Sequence, residues 1–215
     1  MVITERLAQL RREMAGHGVD GYVVVTDDFH GSEYVGDFFK ARAYLSGFTG
    51  SAGTLVVLPE QAALWTDGRY FLQAAEQLTG STIDLMRMGQ PGVPTIGAFL
   101  AEHLPEGGVL GFDGRTVSSS FAHTLETALA EKHIRFHGSE DLVDAVWPDR
   151  PALSDRPVWE LTGCGMSREE KLAKLREKMA AQNAAYLLLT SLTEIAWALN
   201  LRLSLIHISE PTRLR

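Results

Sequence analysis

A short acidic segment with one histidine is the first place in the sequence where side chains could act together chemically. Asp27, Asp28 and His30 lie close together, directly after an apolar run. Carboxylates and an imidazole can bind divalent metal ions, so the segment is a candidate metal site. The same residue types are common where a loop leaves a strand, because Asp side chains bond to nearby backbone there. We therefore expect a solvated turn, and we assign no metal ligands in this chain.

A glycine-rich stretch invites a comparison with phosphate loops and nucleophile elbows. Gly47, Gly50 and Gly53 are not followed by Gly-Lys-Ser/Thr and do not join a strand to a helix, as nucleotide-binding loops do. Ser51 lies in Thr-Gly-Ser-Ala-Gly rather than in Gly-x-Ser-x-Gly, so we do not predict a nucleophile. We expect the glycines to permit positive φ angles or a close backbone approach before a strand.

The other reactive residue types are isolated in the sequence. Cys164 lies between two glycines without an adjacent basic residue, so a catalytic thiol is not predicted. Histidines are scattered at predicted helix ends and surface positions, with no nucleophile nearby: His17, His103, His123, His133 and His137. No catalytic residue is predicted in this chain.

Composition excludes several classes of protein. The 215 residues include 27 acidic and 20 basic side chains, giving a net charge of -7 that disfavours nucleic acid as a partner. The single cysteine cannot form an internal disulfide, and the N-terminus lacks the pattern of a secretion signal. No apolar run approaches the roughly 20 residues that a membrane-spanning helix needs. We expect a cytoplasmic location without membrane contact.

Apolar periodicity predicts an α/β fold. The segment Thr4–His17 has the period of an amphipathic helix, and Tyr22–Thr26 is a continuous apolar run typical of a strand covered on both faces. Two adjacent strands, Thr54–Leu58 and Ala62–Thr66, are predicted to form an antiparallel hairpin. The alternation predicts a mixed or parallel sheet flanked by helices. Further strands are predicted at Ile83–Met88, Val109–Phe112 and Ile134–His137, and helices at Tyr70–Leu78, Thr95–Leu104 and Ser118–Lys132.

The first helix has a counterpart 165 positions later, at a predicted helix Arg168–Gln182. With one residue removed at the turn, the first strand also has a counterpart, at a predicted strand Tyr186–Thr190. Shared Leu and Arg at helical spacing could arise by chance in two amphipathic helices. The match continues through the turn, where Tyr22 and Thr26 correspond to Tyr186 and Thr190, so we favour an internal duplication. A proline-rich stretch around residues 147–157 marks the boundary between the two copies.

Two segments carry a resemblance to a known family. Residues 46–54 read Ser-Gly-Phe-Thr-Gly-Ser-Ala-Gly-Thr, and residues 64–74 read Leu-Trp-Thr-Asp-Gly-Arg-Tyr-Phe-Leu-Gln-Ala. Together they resemble the N-terminal domain of Xaa-Pro aminopeptidases, in the creatinase, prolidase and aminopeptidase P superfamily. The similarity extends through residues 30–34, 142–147 and 193–202, and it stops at Arg202.

The resemblance implies a domain organisation. Residues 1–150 would form a creatinase N-terminal-like domain with a mixed sheet flanked by helices, and residues 151–166 a linker. Residues 167–202 would begin an incomplete repeat of the same fold. Residues 203–215 resemble translated vector or adapter sequence, so we expect a non-native tail that is poorly ordered or loosely docked.

The resemblance also implies a function for the parent protein. It would be a metal-dependent peptidase that releases the N-terminal residue from peptides with proline second. Two divalent metal ions, with manganese expected, would be held by an Asp-Asp-His-Glu-Glu set in a C-terminal catalytic domain, and no cofactor is expected in this chain. The chain would then be a non-catalytic region for substrate access and assembly. Its partners would be the catalytic domain and proline-containing peptides, and a homodimer is left open.

Alternatives remain at the level of both function and site. A non-enzymatic peptide- or protein-binding module of the same architecture is the second hypothesis, and creatinase or prolidase is disfavoured by the start of a middle domain. The resemblance makes Phe48, Asp67, Arg69 and Tyr70 candidates for the substrate entrance or a domain interface. A local turn held by an Asp67–Arg69 contact is the other interpretation, and Phe48, like Trp65, could belong to the core.

Overall fold

The computed structural model describes residues 2–32, 35–155 and 157–202. The chain divides into two compact units, Met1–Ala152 and Leu153–Arg215, of which the second is described as far as residue 202. Each unit contains its own sheet, so we describe each by itself. The predicted non-native tail, residues 203–215, lies outside the described residues.

The first unit opens with the predicted helix and strand. Helix α1, Ile3–Gly16, buries Leu7, Leu10 and Met14. Gly18 follows with a φ of +65°, and the Val19 amide donates to the Met14 carbonyl at 2.8 Å. A left-handed residue at this position lets the chain reverse out of the helix. It leads into strand β1, Gly21–Val24, which is buried throughout.

The sheet of the first unit is mixed, as predicted. Its order is β4-β3-β2-β1-β5-β6, where the remaining strands are β2 Thr54–Val57, β3 Ala62–Thr66, β4 Ile83–Arg87, β5 Val109–Phe112 and β6 Arg135–His137. Strands β2 and β3 form the predicted antiparallel hairpin, and β1 is antiparallel to β2. The pairs β3–β4, β1–β5 and β5–β6 are parallel.

Helices cover both faces of this sheet. They are α2 Ala41–Ser46, α3 Phe71–Gln77, α4 Ile96–His103 and α5 Ser119–Leu129, with short 3-10 helices at Asp37–Phe39 and Ala130–Lys132. Side chains of β1 and of the residue after it alternate between two cores: Tyr22 and Val24 pack with α1, whereas Val23 and Val25 pack with α4 and α5. This alternation explains why the predicted strand reads as a continuous apolar run. The sequence did not predict α2, because six residues are too few to establish a helical period.

The second unit joins two helices and a two-stranded ladder. Its elements are β7 Trp159–Glu160, α6 Arg168–Ala181, α7 Leu192–Leu199 and β8 Leu201–Arg202, with β7 antiparallel to β8. The predicted cap is present, since the Ser167 hydroxyl accepts from the Glu170 amide at 3.2 Å. Buried Lys171 donates to the Trp197 carbonyl at 2.9 Å and so links α6 to α7. Within the described residues, no helix has the length and apolar character needed to cross a bilayer.

The segment 151–166, predicted as a linker, contains the two-residue strand β7. One expectation for the second unit differs from the structure. The strand predicted at Tyr186–Thr190 is wrong, because this segment has no strand geometry and Tyr186 is 92% exposed. A strand requires partners on its edges, and β1 has them in β2 and β5. The described residues of the second unit offer no such pair of flanking strands to Tyr186–Thr190.

Candidate functional site

The hairpin register brings the two family-like segments together. The glycine-rich loop, residues 47–53, enters β2, and the Asp-Gly-Arg-Tyr turn, residues 67–70, leaves β3. Since Thr54 pairs with Trp65, the loop and the turn lie at the same end of the sheet. The Thr66 hydroxyl donates to the Ala52 carbonyl at 2.7 Å and joins them directly. The two segments therefore form one surface.

A buried arginine from α2 holds the glycine-rich loop from below. The Arg42 side chain donates from Nη1 to the Phe48 carbonyl at 2.9 Å, from Nη2 to the Gly50 carbonyl, and from Nε to the Thr26 hydroxyl. Thr26 in turn donates to the Gly53 carbonyl at 2.7 Å. Burial lowers the pKa of Arg42 to about 10, and the charge of Tyr70 acts in the opposite direction. Arg42 is therefore still a cation at neutral pH, and it fixes the loop through carbonyl dipoles.

The glycines play the structural part that the sequence predicted. Gly47 has a φ of +74° and follows the end of α2. A Cβ on Gly50 would lie 2.3 Å from Cζ of Phe48, and one on Gly53 would lie 3.1 Å from the Trp65 carbonyl oxygen. Gly47 thus supplies the positive φ, and the other two supply close approach. The loop is shaped by packing, in agreement with the prediction.

The four predicted site residues lie in one cluster, at different depths. Phe48 is completely buried, and its ring meets the ring of half-buried Tyr70 edge-on at 5.9 Å. The Tyr70 hydroxyl lies 2.6 Å from the hydroxyl of Ser51. Arg69 places its guanidinium 5.2 Å from the Tyr70 ring centroid and forms an ion pair with Asp67 at 2.8 Å. Phe48 cannot touch a substrate from its buried position, so any role it has is to support Tyr70.

The Asp67–Arg69 contact is a property of its local turn. Two side-chain bonds join the residues, and the Arg69 amide also donates to the Asp67 carboxylate at 3.0 Å. The hydrogen bonds from Arg69 lower the pKa of Asp67. Asp113 and Arg115, which follow β5, show the same three bonds. The ion pair alone therefore does not mark a site. The contacts of Tyr70 with the glycine-rich loop are what distinguish the turn at residues 67–70 from the turn that follows β5.

A cleft of about 350 Å³ opens beside the glycine-rich loop. Its lining comes from the end of β1, the loop and the start of α5: Val25, Thr26, Asp27, Ser51, Ala52, Gly53, Thr54, Ser118 and Phe121. Burial, and then the neighbouring charge of Asp28, raise the pKa of Asp27. A carboxylate and several hydroxyls therefore face a space of small-molecule size, but none of these groups forms a nucleophile with a general base.

The acidic segment at the end of β1 is a turn, as predicted, but one of its two carboxylates is buried. Asp28 is only 3% exposed, and it accepts hydrogen bonds from the amides of His30 and Ser32 and from the Ser32 hydroxyl. Burial acts to raise the pKa of Asp28, but these hydrogen bonds outweigh it and lower the pKa. A carboxylate engaged in this way closes the turn, and its oxygens are already used by donors.

The described residues do not fit a two-metal centre of the kind that the family resemblance implies. The metal-type cluster that they contain is His17, His137 and Glu140, which offers a single carboxylate. Two ions about 3.5–4 Å apart are held by shared acidic ligands. No catalytic step through metal ions is therefore derived for this chain.

Two features of the site escaped sequence analysis. Arg42 lies in the short helix α2, and its partners are backbone carbonyls, which leave no pattern in a sequence. The sequence signal that could have indicated it is a basic residue shortly before a glycine-rich stretch, and Lys40 has the same feature. The convergence of His17 and His137 was also missed, because they are 120 positions apart.

The fold and the two family-like segments define the class of protein. Residues 6–146 match the family described as Creatinase/Prolidase N-terminal domain, and residues 149–209 match a second family of the same description. The chain belongs to the creatinase/prolidase N-terminal domain family. The resemblance seen in the sequence is confirmed.

Individual relatives narrow the comparison to Xaa-Pro aminopeptidases. The chain is 42% identical to Aminopeptidase P2 of Arabidopsis thaliana, over 94% of this chain and 29% of that protein. It is 40% identical to the Xaa-Pro aminopeptidase ApepP of Drosophila melanogaster, over 86% of this chain and 31% of that protein. The chain thus spans less than a third of the length of these two relatives.

A solved structure gives the same result. The X-prolyl aminopeptidase of Caenorhabditis elegans, described as a cytosolic enzyme with a di-nuclear active site, superimposes with a TM-score of 0.82 at 34% identity. The match covers 94% of this chain and 35% of the nematode chain. The fold predicted from the sequence is confirmed.

Proposed function

We propose that this chain is the N-terminal accessory region of a metal-dependent Xaa-Pro aminopeptidase and is not catalytic by itself. The observation that carries the proposal is the superposition of 94% of the chain on about a third of the nematode enzyme, at a TM-score of 0.82. The parent would remove the N-terminal residue from peptides with proline second. The alternative of a non-enzymatic binding module is not favoured, because the relatives are peptidases by name.

The parent's metal centre would lie in a C-terminal catalytic domain, which becomes the principal partner of this chain. Two divalent ions, with manganese as the proposed metal, agree with the di-nuclear centre of the nematode enzyme. Proline-containing peptides would be the substrates, and a homodimer remains a proposal. The cytosolic description of the nematode enzyme supports a cytoplasmic location.

We further propose that Asp67, Arg69 and Tyr70 face the substrate entrance or the catalytic domain, with Phe48 supporting them from the core. Arg69 is 69% exposed by its side chain, so its guanidinium is accessible despite the pair with Asp67. Tyr70 is backed by buried Phe48, and Arg42 fixes the loop around it. A polar surface on a rigid support suits the positioning of a peptide or a neighbouring domain.

The accessory role can be tested with a hybrid enzyme. Residues 1–202 would replace the matching N-terminal part of the Arabidopsis relative, and kcat and KM would be measured with Xaa-Pro peptides and manganese. We expect the hybrid to be active and the isolated chain to be inactive. Manganese-dependent turnover by the pure isolated chain would contradict the proposal, as would an inactive hybrid that folds and holds its metal ions.

The site assignment needs a matched pair of variants in the same hybrid. Arg69→Lys removes a forked donor at the proposed site, and Arg115→Lys removes the equivalent donor from the other Asp-Gly-Arg turn. A hydrogen bond from the charged Arg69 side chain to the substrate or to the catalytic domain would be worth about 1.5–3 kcal/mol. We therefore expect kcat/KM to fall by roughly tenfold or more for Arg69→Lys and to stay unchanged for Arg115→Lys. Equal effects of the two variants would show that the turn matters only for stability.

A further inference from the structure

Three side chains that can bind metal ions meet at the C-terminal end of α1. His17 caps this helix, His137 is the last residue of β6, and Glu140 lies three residues further on. Nδ1 of His17 lies 2.6 Å from Oε2 of Glu140, and Nε2 of His137 lies 3.5 Å from the same oxygen. All three potential ligand atoms lie within 4.8 Å of one another. The fold has therefore assembled a His-His-Glu set from distant parts of the sequence.

Hydrogen bonds hold the backbone of two of these residues in place. Tyr22 is 1% exposed, and its hydroxyl donates to the Glu140 carbonyl at 3.2 Å and accepts from the Leu142 amide at 3.1 Å. The His17 amide donates to the Glu13 carbonyl at 3.0 Å as part of the helix cap. The three side chains themselves remain open to solvent, with 39%, 31% and 48% exposure for His17, His137 and Glu140. An ion could reach them without opening the fold.

We propose that His17, His137 and Glu140 bind one divalent transition-metal ion, for which zinc is the best match. Two imidazoles and one carboxylate form a set of three protein ligands that zinc accepts, with water in the fourth position. Metal–ligand bonds of about 2.0–2.1 Å place neighbouring ligand atoms of a tetrahedral site about 3.3 Å apart. The His137–Glu140 separation of 3.5 Å is already close to this spacing.

Only small side-chain movements would complete the site. The 2.6 Å contact between His17 and Glu140 is that of a hydrogen bond, so an ion must displace the proton between them. That proton can move to the other ring nitrogen of His17, which leaves Nδ1 free to bind the ion. The net charge of -7 also favours a cation as the ligand.

Nε2 of His137 also lies 3.5 Å from the Ser139 hydroxyl, so an ion must replace this weak contact at the ring nitrogen. An exposed His–Glu ion pair requires only one histidine and one glutamate, and it contributes little to stability. Here a second imidazole approaches the same carboxylate oxygen from another element of the fold. A bound ion would connect α1 to the segment after β6, which are 120 positions apart, and would stabilise the first unit against unfolding.

The test is a calorimetric titration of the intact chain with zinc chloride, carried out in a Cys164→Ser background to remove the single thiol. We expect one ion per chain and a melting temperature that rises with zinc concentration. His17→Gln, His137→Gln and Glu140→Gln should each weaken binding by at least tenfold, since even loss of outer-shell partners costs about 10–100-fold in metal affinity. His123→Gln, at a side chain 80% exposed on α5, is the matched control and should bind zinc unchanged.

Cobalt provides a second measurement that reports on coordination directly. The chain should develop the visible absorption of four-coordinate cobalt, and each of the three ligand variants should lose it. All variants change side chains that are at least partly exposed, so their circular dichroism without metal should match that of the unchanged chain. Absence of zinc binding, or binding that survives all three ligand substitutions, would overturn the proposal.

Discussion

Gly18 and Asn183 occupy the same left-handed position behind two helices, with φ angles of +65° and +54°. They end α1 and α6, which have 14 residues each and are offset by 165 positions. The next amide donates to the same helix carbonyl in both cases, from Val19 to Met14 at 2.8 Å and from Ala184 to Met179 at 2.9 Å. Gly and Asn are the residues that adopt this conformation most readily. The repeat in the sequence is thus also a repeat of helix-capping geometry.

The starts of the two helices repeat as well. The Glu5 carboxylate accepts from the amide of Val2, and the Glu170 carboxylate accepts from the amide of Ser167. The copies diverge where β1 forms in the first and the exposed Tyr186–Thr190 segment follows in the second. In the second copy, the strands equivalent to β2 and β5 would lie 165 positions after them, which is beyond residue 215. We propose that the second unit is an incomplete copy whose strand forms when those partners are supplied.

The first prediction compares the two segments that follow these helices. Amides of Tyr186–Thr190 should exchange with deuterium far faster than amides of Gly21–Val24, because β1 has ladder partners on both sides and is buried. Hydrogen exchange followed by mass spectrometry or NMR measures the contrast. Extending the chain with the next part of an aminopeptidase relative should slow exchange in Tyr186–Thr190. Equal protection of both segments in the present chain would contradict the prediction.

The second prediction concerns close packing around the glycine-rich loop. Gly50→Ala should lower the free energy of unfolding by about 1–3 kcal/mol, because the new methyl group overpacks against Phe48 and Tyr70. Denaturant unfolding measures the change. Gly16→Ala is the control, since a Cβ there has no neighbour within 4 Å and the position is helical. It should stabilise the chain by about 0.5 kcal/mol. A neutral Gly50→Ala variant would show that the loop can relax.

The third prediction addresses the buried cation. Arg42→Met should destabilise the first unit by about 2–4 kcal/mol, because the carbonyls of Phe48 and Gly50 lose their charged donor. The removal of a buried charge offsets part of this loss. Denaturant unfolding measures stability, and hydrogen exchange should show faster opening of residues 47–53. Arg12→Met, on the exposed side of α1, is the control and should stay within about 0.5 kcal/mol.

Elements with a clear hydrophobic period were predictable from the sequence, and contacts between distant residues were not. Helix α1 and the β2–β3 hairpin form within a residue or so of their predicted bounds. Tyr186–Thr190 has the composition of a strand but remains exposed, because strand formation depends on partners elsewhere in the chain. The support of the loop by Arg42 was equally invisible, since its acceptors are backbone carbonyls.

The candidate site was also predictable only in part from the sequence. Its four predicted residues do lie together, because the motif fixes both the loop and the turn on one hairpin. The sequence could not give their depth, and Phe48 proved to be completely buried. The repeat of the Asp67–Arg69 geometry by Asp113 and Arg115 was missed, although the sequence has Asp-Gly-Arg at both strand ends.

The last prediction uses the buried carboxylate at the end of β1. Hydrogen bonds from Ser32 and His30 outweigh the effect of burial and hold the pKa of Asp28 below its ordinary value of 3.8. A group with a lowered folded-state pKa stabilises the fold above its unfolded-state pKa, and this stability is lost as the pH falls through the folded-state value. Asp28→Asn should therefore cost about 1 kcal/mol near neutral pH, where charge-assisted bonds are replaced by neutral ones.

The difference between Asp28→Asn and the unchanged chain should shrink as the pH falls below 3.8, because the carboxylate is then protonated in the unfolded chain and progressively in the folded one. Urea unfolding at a series of pH values measures this convergence. Asp84→Asn, at an exposed position on β4, is the control and should follow the pH dependence of the unchanged chain. The prediction would be contradicted if the difference in unfolding free energy between Asp28→Asn and the unchanged chain stayed constant from neutral to acidic pH. Protonation of Asp28 would then have no effect on stability, and the negative charge would not be what stabilises the turn.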